Sequence, residues 1–369
     1  MNILLATMGM DIGGAETHIL ELAKELKRRN NNVYVVSNGG KYVEELQQSG
    51  IEHIWAPLNN KKPHNMIKSY KILEKAIKDK KIDIVHSHSR ISSFICGLLE
   101  KKMKFPFVTS AHWTFKVTPL LKAMTNWGQY TIAVSNDIKD YLIKNYNVDS
   151  NKIIVTVNGI DTEKFSKNVD FSDIEKEFNL SKNSRRIVYI SRMDESRALV
   201  ARQLIKISKE LDKEIENLEI VIVGGGDVFE ELKKECEKIN SELGKRLLIM
   251  TGARTDINKF AASGEIFIGV SRSAFEAMAC EVPTIVAGNE GYLGIFDETK
   301  LNKGIETNFC CRGLEMPTEE VLKRDVIELM NSSNKENYGK YNREIIQKYY
   351  SIKRMVDDCE EAYRAVLKK

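Results

Sequence analysis

The sequence alternates short apolar runs with amphipathic stretches, and this alternation occurs twice along the chain. The apolar runs are four to seven residues long, rich in Val and Ile, and do not alternate between polar and apolar residues. Such runs are typical of strands buried on both faces. Amphipathic stretches such as 14–29 and 201–211 separate them and favour helices. The pattern predicts two doubly wound α/β domains. The predicted strands are 2–6, 32–37, 82–86, 107–110, 130–134, 153–157, 186–191, 218–223, 247–251, 266–270 and 284–287.

The length of 369 residues also suits two domains. We expect the boundary between Asn158 and Arg185, because 163–184 is polar and charged and a strong apolar run follows it. In open α/β sheets, ligands bind outside the carboxyl ends of the strands. The sequence therefore predicts two Rossmann-like domains facing a ligand cleft.

Composition excludes several classes of protein. With 42% apolar and 29% charged residues, the chain is a globular protein rather than a disordered one. No apolar run reaches the roughly 18 residues that a membrane-spanning helix needs. The N-terminus lacks a basic region and a cleavage site, so we expect no signal peptide and a cytoplasmic location. The cysteines form no Cys-x-x-Cys and are expected to be reduced thiols.

Charge is unevenly distributed along the chain. Residues 1–160 carry 22 Lys and Arg against 14 Asp and Glu, a balance of +8, and the remainder carries 34 against 38, a balance of −4. A basic first half suits an anionic membrane or an acidic acceptor, and equally suits lysines on solvated helix faces. The basic runs are short and isolated, so we expect no nucleic-acid partner.

A glycine-rich turn follows the first predicted strand. Gly13 and Gly14 open the first helix, where unpaired N–H groups and the positive end of the helix dipole suit a phosphate. A tight strand-to-helix turn explains the same residues. The chain has no Gly-x-Gly-x-x-Gly, so a nicotinamide fingerprint is absent and no cofactor is expected.

Arginines and glycines follow two predicted strands of the second half. Arg192 and Arg197 come after 186–191 and suit bidentate phosphate contacts, although pairing with Asp194 or Glu195 is the simpler interpretation. Three glycines, among them Gly225, follow 218–223 and permit close backbone approach or a turn with positive φ.

The segment 269–283 leads from a strand into a helix and then into Pro283. Ser273 and Glu276 have the spacing of a capping box, in which Glu276 reaches back over the helix start. In the functional interpretation, the N–H groups of 271–274 bind a diphosphate and Glu276 binds ribose hydroxyls. One glutamate cannot easily both cap the helix and bind the ribose, and both interpretations stay open.

Histidines cluster near two predicted strand ends. His86 and His88 lie on one face because they are two residues apart in a strand. A metal site needs a third and a fourth ligand, and none is obvious near them in the sequence, so we expect no metal. His112 follows 107–110 and suits a hydrogen bond to a ligand hydroxyl or carbonyl.

Taken in order, these blocks resemble one family: the retaining, two-Rossmann-domain (GT-B fold) glycosyltransferases of family four, also called glycosyl transferases group 1. The resemblance covers almost the whole chain, and its most specific block is Glu276-Ala-Met-Ala-Cys-Glu-Val-Pro283. The other matching blocks are Gly13-Gly-Ala-Glu16, Asp83-Ile-Val-His-Ser-His88, Ala133-Val-Ser135, Asn158-Gly-Ile-Asp161, Phe165, Ser191-Arg192, the glycines after Val223, and Thr251-Gly252.

The resemblance implies transfer of a sugar from a nucleotide diphosphate sugar, expected to be a UDP-sugar, to a glycan or lipid-linked acceptor with retention. It implies a metal-independent hexosyltransferase of cell-surface polysaccharide or glycolipid synthesis. The implied catalytic residues are His112, near the reacting bond, and Arg192 and Arg197, at the diphosphate. The implied substrate-binding residues are Gly13, Gly14, Gly225, Arg254 (near the base), Ser271, Arg272, Ser273 and Glu276 (at the ribose).

The resemblance also implies that the C-terminal stretch 341–367, which reads as helix, crosses back to the first domain. The expected domains are therefore an acceptor-side domain, 1–165 with 346–369, and a nucleotide-sugar-binding domain, 166–345. One departure matters most: the family has paired glutamates eight residues apart, and the first position is Ile268 here. Two other functions therefore stay open, a non-catalytic partner subunit that binds a nucleotide sugar and a sugar-nucleotide epimerase.

The stretch 115–130 raises the question of a membrane. Leu120, Leu121, Met124 and Trp127 stand beside Lys116 and Lys122, as in a helix lying on a bilayer at the inner face of the membrane. A helix buried against the cleft explains the same residues, and both expectations stay open.

Overall fold

The protein is described by a computed structural model that covers residues 1–115 and 117–368. They form two compact units, Met1–Gly159 with Ser351–Lys369, and Ile160–Tyr350. Each unit is a mostly parallel sheet with helices, so the prediction of an α/β chain with two doubly wound domains is confirmed.

The helices and strands alternate along most of the chain. Up to Gly159 they are β1 (Asn2–Ala6), α1 (Gly14–Arg28), β2 (Asn32–Ser37), α2 (Val43–Gln48), β3 (Glu52–Trp55), α3 (Pro63–Asp79), β4 (Ile84–Ser87), α4 (Arg90–Met103), β5 (Phe107–Ala111), α5 (Pro119–Ala123), β6 (Tyr130–Ala133), α6 (Asn136–Tyr146) and β7 (Ile153–Val155). After it they are α7 (Ser172–Glu177), β8 (Arg185–Ile190), α8 (Leu199–Glu214), β9 (Leu218–Val223), α9 (Phe229–Leu243), β10 (Leu248–Met250), α10 (Ile257–Ser263), β11 (Ile266–Gly269), α11 (Ser271–Ala279), β12 (Thr284–Gly288), β13 (Gly291–Ile295), α12 (Leu301–Glu306), α13 (Glu319–Asn331), α14 (Lys335–Tyr349) and α15 (Ile352–Leu367).

The first unit contains a seven-stranded parallel sheet in the order β3-β2-β1-β4-β5-β6-β7. Its interior strand β1 is buried on both faces, as its run of Ile3, Leu4 and Leu5 predicts. Because β1, β4 and β5 are neighbours, the segments that follow these three strands emerge side by side at one edge of the sheet.

The C-terminal helix packs in the first unit. Arg29, just after α1, donates hydrogen bonds of 2.6 Å to Asp357 and 3.0 Å to Glu360 on α15. The side chain of Tyr363 is fully buried. The predicted single helix over 341–367 is wrong in one respect: it is two helices, since Ser351 caps a new helix by accepting the N–H of Arg354 at 3.4 Å.

The second unit contains a six-stranded sheet in the order β10-β9-β8-β11-β12-β13. Five strands are parallel, and β13 runs antiparallel to β12. All eleven predicted strands are present within one or two residues at each end. The prediction missed β3 and β13, two of the four edge strands, because β3 mixes polar and apolar residues and β13 contains two glycines.

The stretch 115–130 does not form the predicted helix. Lys116 lies outside the described residues, and α5 spans only five residues. Leu120 is 69% exposed, so the interpretation as a buried helix is wrong. In the described part of the chain, no helix combines the length and the apolar character needed to span a bilayer.

Candidate functional site

In the first unit, the glycine-rich turn after β1 leads directly into α1. Gly13 has extended backbone at the N-cap position, and its carbonyl oxygen accepts hydrogen bonds from both the backbone N–H (2.9 Å) and the hydroxyl (2.8 Å) of Thr17. No atom lies within 4 Å of the position that a Cβ on Gly14 would occupy. The space beside Gly14 is thus open, whereas a Cβ on Gly13 would lie 2.3 Å from the carboxylate of Glu16, so an acidic side chain already stands at the start of α1.

A cluster of histidines lies at the same edge. His88 follows β4, His112 follows β5, and the buried His18 comes from α1. His88 Nδ1 and His112 Nε2 are 3.1 Å apart and share a hydrogen bond, and the two rings stack with centroids 5.4 Å apart. The ring of His18 meets that of His112 edge-on at 4.8 Å. The sequence argument that found no third imidazole near His88 is therefore wrong.

His86 differs from its neighbours because both of its ring nitrogens have partners. Nδ1 lies 2.8 Å from the hydroxyl of Tyr363 and Nε2 lies 2.7 Å from that of Ser110. The ring is fully buried and ties the C-terminal helix to the sheet. These contacts give His86 a structural role.

Burial keeps these rings neutral. Desolvation, with a smaller contribution from His112, lowers the pKa of His86 to about 3. Desolvation also lowers the pKa of His112 to about 4 and that of His88 well below its ordinary value. At neutral pH each ring therefore offers one N–H donor and one lone pair rather than a positive charge.

In the second unit, both predicted arginines follow β8. Arg197 donates to a carboxylate oxygen of Asp194 at 2.9 Å, and Arg192 lies 3.7 Å from the same oxygen. The side chain of Arg192 is 58% exposed and that of Arg197 is 39% exposed. The simpler interpretation, pairing with Asp194, thus describes the observed contacts, and Asp194 holds both guanidinium groups at one place.

The glycines after β9 bring two loops together. The carbonyl of Gly225 accepts the N–H of Met193 at 3.0 Å, and a Cβ on Gly226 would lie 2.3 Å from the Met193 backbone. Gly224 has φ +141° and a built Cβ 1.7 Å from the carbonyl oxygen of Ser191. Only glycines permit this approach, which fixes the loop that carries Arg192.

Arg254 is already engaged by protein groups. Its guanidinium forms paired hydrogen bonds with Glu177 at 2.6 and 2.9 Å and with Asp256 at 2.9 Å twice. It also lies over the rings of Phe178 and Phe260, 5.3 and 5.5 Å from their centroids. These contacts give Arg254 a structural role, and its predicted contact with a base stays a prediction.

The start of α11 differs from the predicted capping box. The helix begins at Ser271, so Ser273 is too far inside to cap it, and its hydroxyl donates to the carbonyl of Val270 at 3.1 Å. Glu276 instead accepts from Nε of Arg272 at 2.9 Å, and both side chains are nearly buried. The capping box is therefore wrong. The N–H of Ser271 donates to Phe309 at 2.9 Å and is not open to a diphosphate.

Ile268 is the residue that the sequence resemblance puts in place of the family's first glutamate. It lies inside β11, fully buried, with register partners Tyr189 on β8 and Ile285 on β12. Only Val270 separates β11 from α11, so this chain has no loop from which a carboxylate at that position could reach a ligand.

Sequence reasoning missed His18. The available signal was topological: once β1, β4 and β5 are recognised as neighbours, a histidine early in α1 lies beside histidines that follow the other two strands. Periodicity alone assigns His18 to a buried helix face and says nothing of its neighbours.

Two protein-family models and several known proteins match this chain. The sequence profile of Glycosyltransferase Family 4 matches residues 12–164, and that of Glycosyl transferases group 1 matches residues 184–305. The Escherichia coli UDP-Gal:alpha-D-GlcNAc-diphosphoundecaprenol alpha-1,3-galactosyltransferase is 29% identical over 245 residues, 61% of this chain and 62% of that enzyme. This match therefore spans only about three fifths of the relative's length.

Two further similarities extend over nearly the whole chain. The Bacillus anthracis N-acetyl-alpha-D-glucosaminyl L-malate synthase is 23% identical, with 97% of this chain and 95% of that enzyme covered. The crystal structure of Anabaena Alr3699/HepE in complex with UDP superposes with a TM-score of 0.75 at 16% identity, covering 99% of this chain and 100% of that one. The fold is thus that of GT-B glycosyltransferases.

Proposed function

Because the chain belongs to the glycosyltransferases that join a Family 4 domain to a group 1 domain, we propose that it transfers a sugar from a UDP-sugar to an acceptor with retention. The observation that carries the proposal is the carboxyl edge of the second sheet. There two arginines converge on Asp194 beside a loop fixed by glycines. The choice of UDP is supported by the UDP complex of the Anabaena protein and by the donor in the name of the Escherichia coli relative.

Asp194 marks the place of an anion. Its carboxylate accepts from Arg197 and lies within ion-pair distance of Arg192. A diphosphate carries more charge than one carboxylate and matches the planar guanidinium groups bidentately, so it competes well for the same donors. As the bond to the sugar breaks, negative charge grows on the departing diphosphate, and arginines held at that point stabilise the transition state.

We assign recognition of the ribose to Glu276. Its contact with Arg272 holds the carboxylate in a nearly buried position at the start of α11. The side chains of Ser271 and Ser273 stand in the same first turn and are assigned to donor binding with it. For the first unit, we assign substrate contacts to Gly13, Gly14 and His112.

His112 acts in this proposal as a neutral hydrogen-bonding group. Its low pKa, about 4, leaves it uncharged at neutral pH. A neutral imidazole can donate to a sugar oxygen or accept from a hydroxyl without adding a positive charge beside the reacting bond.

The acceptor is proposed to be a lipid-linked glycan of cell-surface polysaccharide or glycolipid synthesis. The Escherichia coli relative acts on a diphosphoundecaprenol-linked sugar according to its name. In this chain, Trp113, Val117 and Leu120 expose apolar side chains and stand within ten residues of Lys122 in the sequence. Exposed apolar residues beside a cation suit a peripheral contact with the membrane surface that holds such an acceptor.

The test compares Arg192→Ala with Arg202→Ala. Arg202 is a matched control because it also pairs with exposed carboxylates, Glu195 and Glu231, but belongs to α8 and not to the loop after β8. With a UDP-sugar panel and lipid-linked acceptors, loss of Arg192 should lower kcat/KM by about 100- to 1000-fold, the usual effect of removing one electrostatic donor. The control should keep wild-type turnover. Equal turnover in both variants would contradict the assignment, and an inverted anomer in the product would contradict retention.

One observation favours a second candidate. Ile268 leaves the chain without the family's first glutamate, so it could be a subunit that binds a nucleotide sugar without transferring it. UDP-sugar binding without turnover on any acceptor, together with activation of a companion transferase, would favour this candidate over the enzyme. Conversion of the donor with no acceptor present would instead indicate an epimerase.

A further inference from the structure

Three imidazoles from separate segments of the first unit converge at the edge of the sheet. One ring nitrogen each from His18, His88 and His112 lies within 4.8 Å of the other two. The segments are brought together by the strand order, in which β1, β4 and β5 are neighbours. Fold topology therefore builds this group, and no short sequence motif encodes it.

The spacing matches what a small metal ion requires. Zinc binds imidazole nitrogen at about 2.0–2.1 Å in tetrahedral geometry, which places two such nitrogens about 3.3 Å apart. His88 Nδ1 and His112 Nε2 lie 3.1 Å apart. An ion can therefore replace the proton between them with a shift of a few tenths of an ångström. The ring of His18 meets that of His112 edge-on, with centroids 4.8 Å apart, so the third imidazole can also contact an ion bound between His88 and His112.

The chemistry of the group favours a transition metal over other cations. Imidazole nitrogen is a ligand for zinc, copper, nickel and iron, whereas calcium and magnesium prefer oxygen. His88 is only 6% exposed, and its Nδ1 already lies beside a ring nitrogen of His112.

We propose that His18, His88 and His112 together bind one divalent transition-metal ion of the zinc type. Three protein ligands leave a fourth coordination position for water or another small ligand. His86 is not a ligand, because Tyr363 and Ser110 occupy both of its ring nitrogens. It packs against His88 with ring centroids 4.0 Å apart and so acts as a positioning residue for the site.

Binding of the metal has a consequence for the activity, and this consequence rests on the proposed function. If His112 contacts the sugar, an ion on its nitrogen removes the hydrogen bond that it offers to substrate. Bound metal should then lower transfer activity, and a chelator should restore it. The binding itself does not depend on the protein being a transferase.

The experiment titrates the chelator-treated full-length protein with Zn²⁺ by calorimetry and with Co²⁺ by visible absorption, which reports four-coordinate geometry. The variants are His88→Gln and His112→Gln, and the control is His64→Gln, an exposed histidine near the start of α3. The proposal expects one ion per chain, a tetrahedral Co²⁺ spectrum, and at least a tenfold loss of affinity in each site variant. The control should bind as the wild type does.

Three results would overturn the proposal: no stoichiometric Zn²⁺ binding, an octahedral Co²⁺ spectrum, or unchanged affinity in His112→Gln. Because His112 is only partly buried, that variant is the one expected to fold, and it keeps the test decisive if His88→Gln does not. UDP binding is measured on the same samples. In the site variants, loss of metal binding with UDP binding retained supports the metal site. In the wild type, absence of UDP binding with metal bound contradicts the proposed function alone.

Discussion

The neutral, buried histidines make the first unit sensitive to mild acid. A histidine whose pKa is lower in the folded state than in the unfolded state, where it is about 6.5, binds more protons when unfolded. Its contribution to stability is therefore complete above pH 6.5 and is lost as the pH falls toward the folded-state pKa. His86, with its pKa of about 3, and His112, with its pKa of about 4, both follow this direction, as does His88.

The size of the effect follows from these pKa values. Between pH 7.5 and pH 5.0, a histidine with a folded-state pKa of 3 to 4 costs about 2 kcal/mol of unfolding free energy. His86 and His112 together therefore cost about 4 kcal/mol, and His88 adds to this loss. Since a domain has only about 5–15 kcal/mol of stability in total, the change is large.

The chain supplies its own reporter and its own control. All three tryptophans, Trp55, Trp113 and Trp127, lie in the first unit, so tryptophan fluorescence in urea follows that unit alone. All six histidines also lie there, and the second unit contains none. Hydrogen exchange of peptides from the second unit should accordingly show little change over the same pH range, where carboxylates have not yet titrated appreciably.

A variant separates the histidine effect from general acid sensitivity. His86→Gln should reduce the loss between pH 7.5 and 5.0 by about 2 kcal/mol, because it removes one of the titrating rings. His64→Gln, which removes an exposed histidine, should leave the loss as it is in the wild type. A first unit whose stability is flat from pH 7.5 to 5.0 would refute the reasoning, and so would an equal loss in the second unit.

Two further predictions concern the second unit and are read by hydrogen exchange of its peptides. Gly224→Ala should destabilise the second unit by about 3 kcal/mol, because Gly224 has φ +141° and a Cβ there would lie 1.7 Å from the Ser191 carbonyl oxygen. The control Gly244→Ala should cost only about 1 kcal/mol, because Gly244 has φ +63° and no neighbour within 4 Å of the added Cβ. Equal effects would show that the close approach is absent. Arg186→Ala should lower the free energy of unfolding by about 3–5 kcal/mol, because it leaves the nearly buried carboxylates of Glu175 and Glu219 without their cation. Removing the exposed Lys340 should change the stability little. A small effect of Arg186→Ala would contradict a stabilising ion pair at this place.

The sequence predicted the sheets well because their strands are buried on both faces. The run Leu218–Val223 is apolar apart from Glu219, and its bounds match the structure. The edge strands β3 and β13 escaped because β3 mixes polar and apolar residues and β13 contains two glycines. The edge strands β7 and β10 are apolar throughout and were predicted. The break between α14 and α15 escaped because apolar spacing continues through it, and only the hydroxyl of Ser351 marks the new start.

The sequence predicted which loops carry the candidate site residues, but it did not predict the contacts of their side chains. Placement of Arg192, Gly225 and His112 after strands follows from the strand pattern, which orders the elements along the chain. The partners of a side chain depend on strand order and loop geometry, which no local pattern contains. For this reason the pairing of Glu276 with Arg272 and the meeting of His18 with the other rings required the structure.

The central claim, that the chain binds a UDP-sugar, is tested most directly by thermal unfolding of the wild type with UDP, GDP, ADP, CDP and dTDP. A nucleotide at a hundred times its Kd adds about 2.7 kcal/mol to the stability of the folded protein, which raises the midpoint visibly. The account predicts stabilisation by UDP above the other four, reduced in Arg192→Ala and kept in Arg202→Ala. No stabilisation by any nucleotide, or the same stabilisation of both variants, would contradict it.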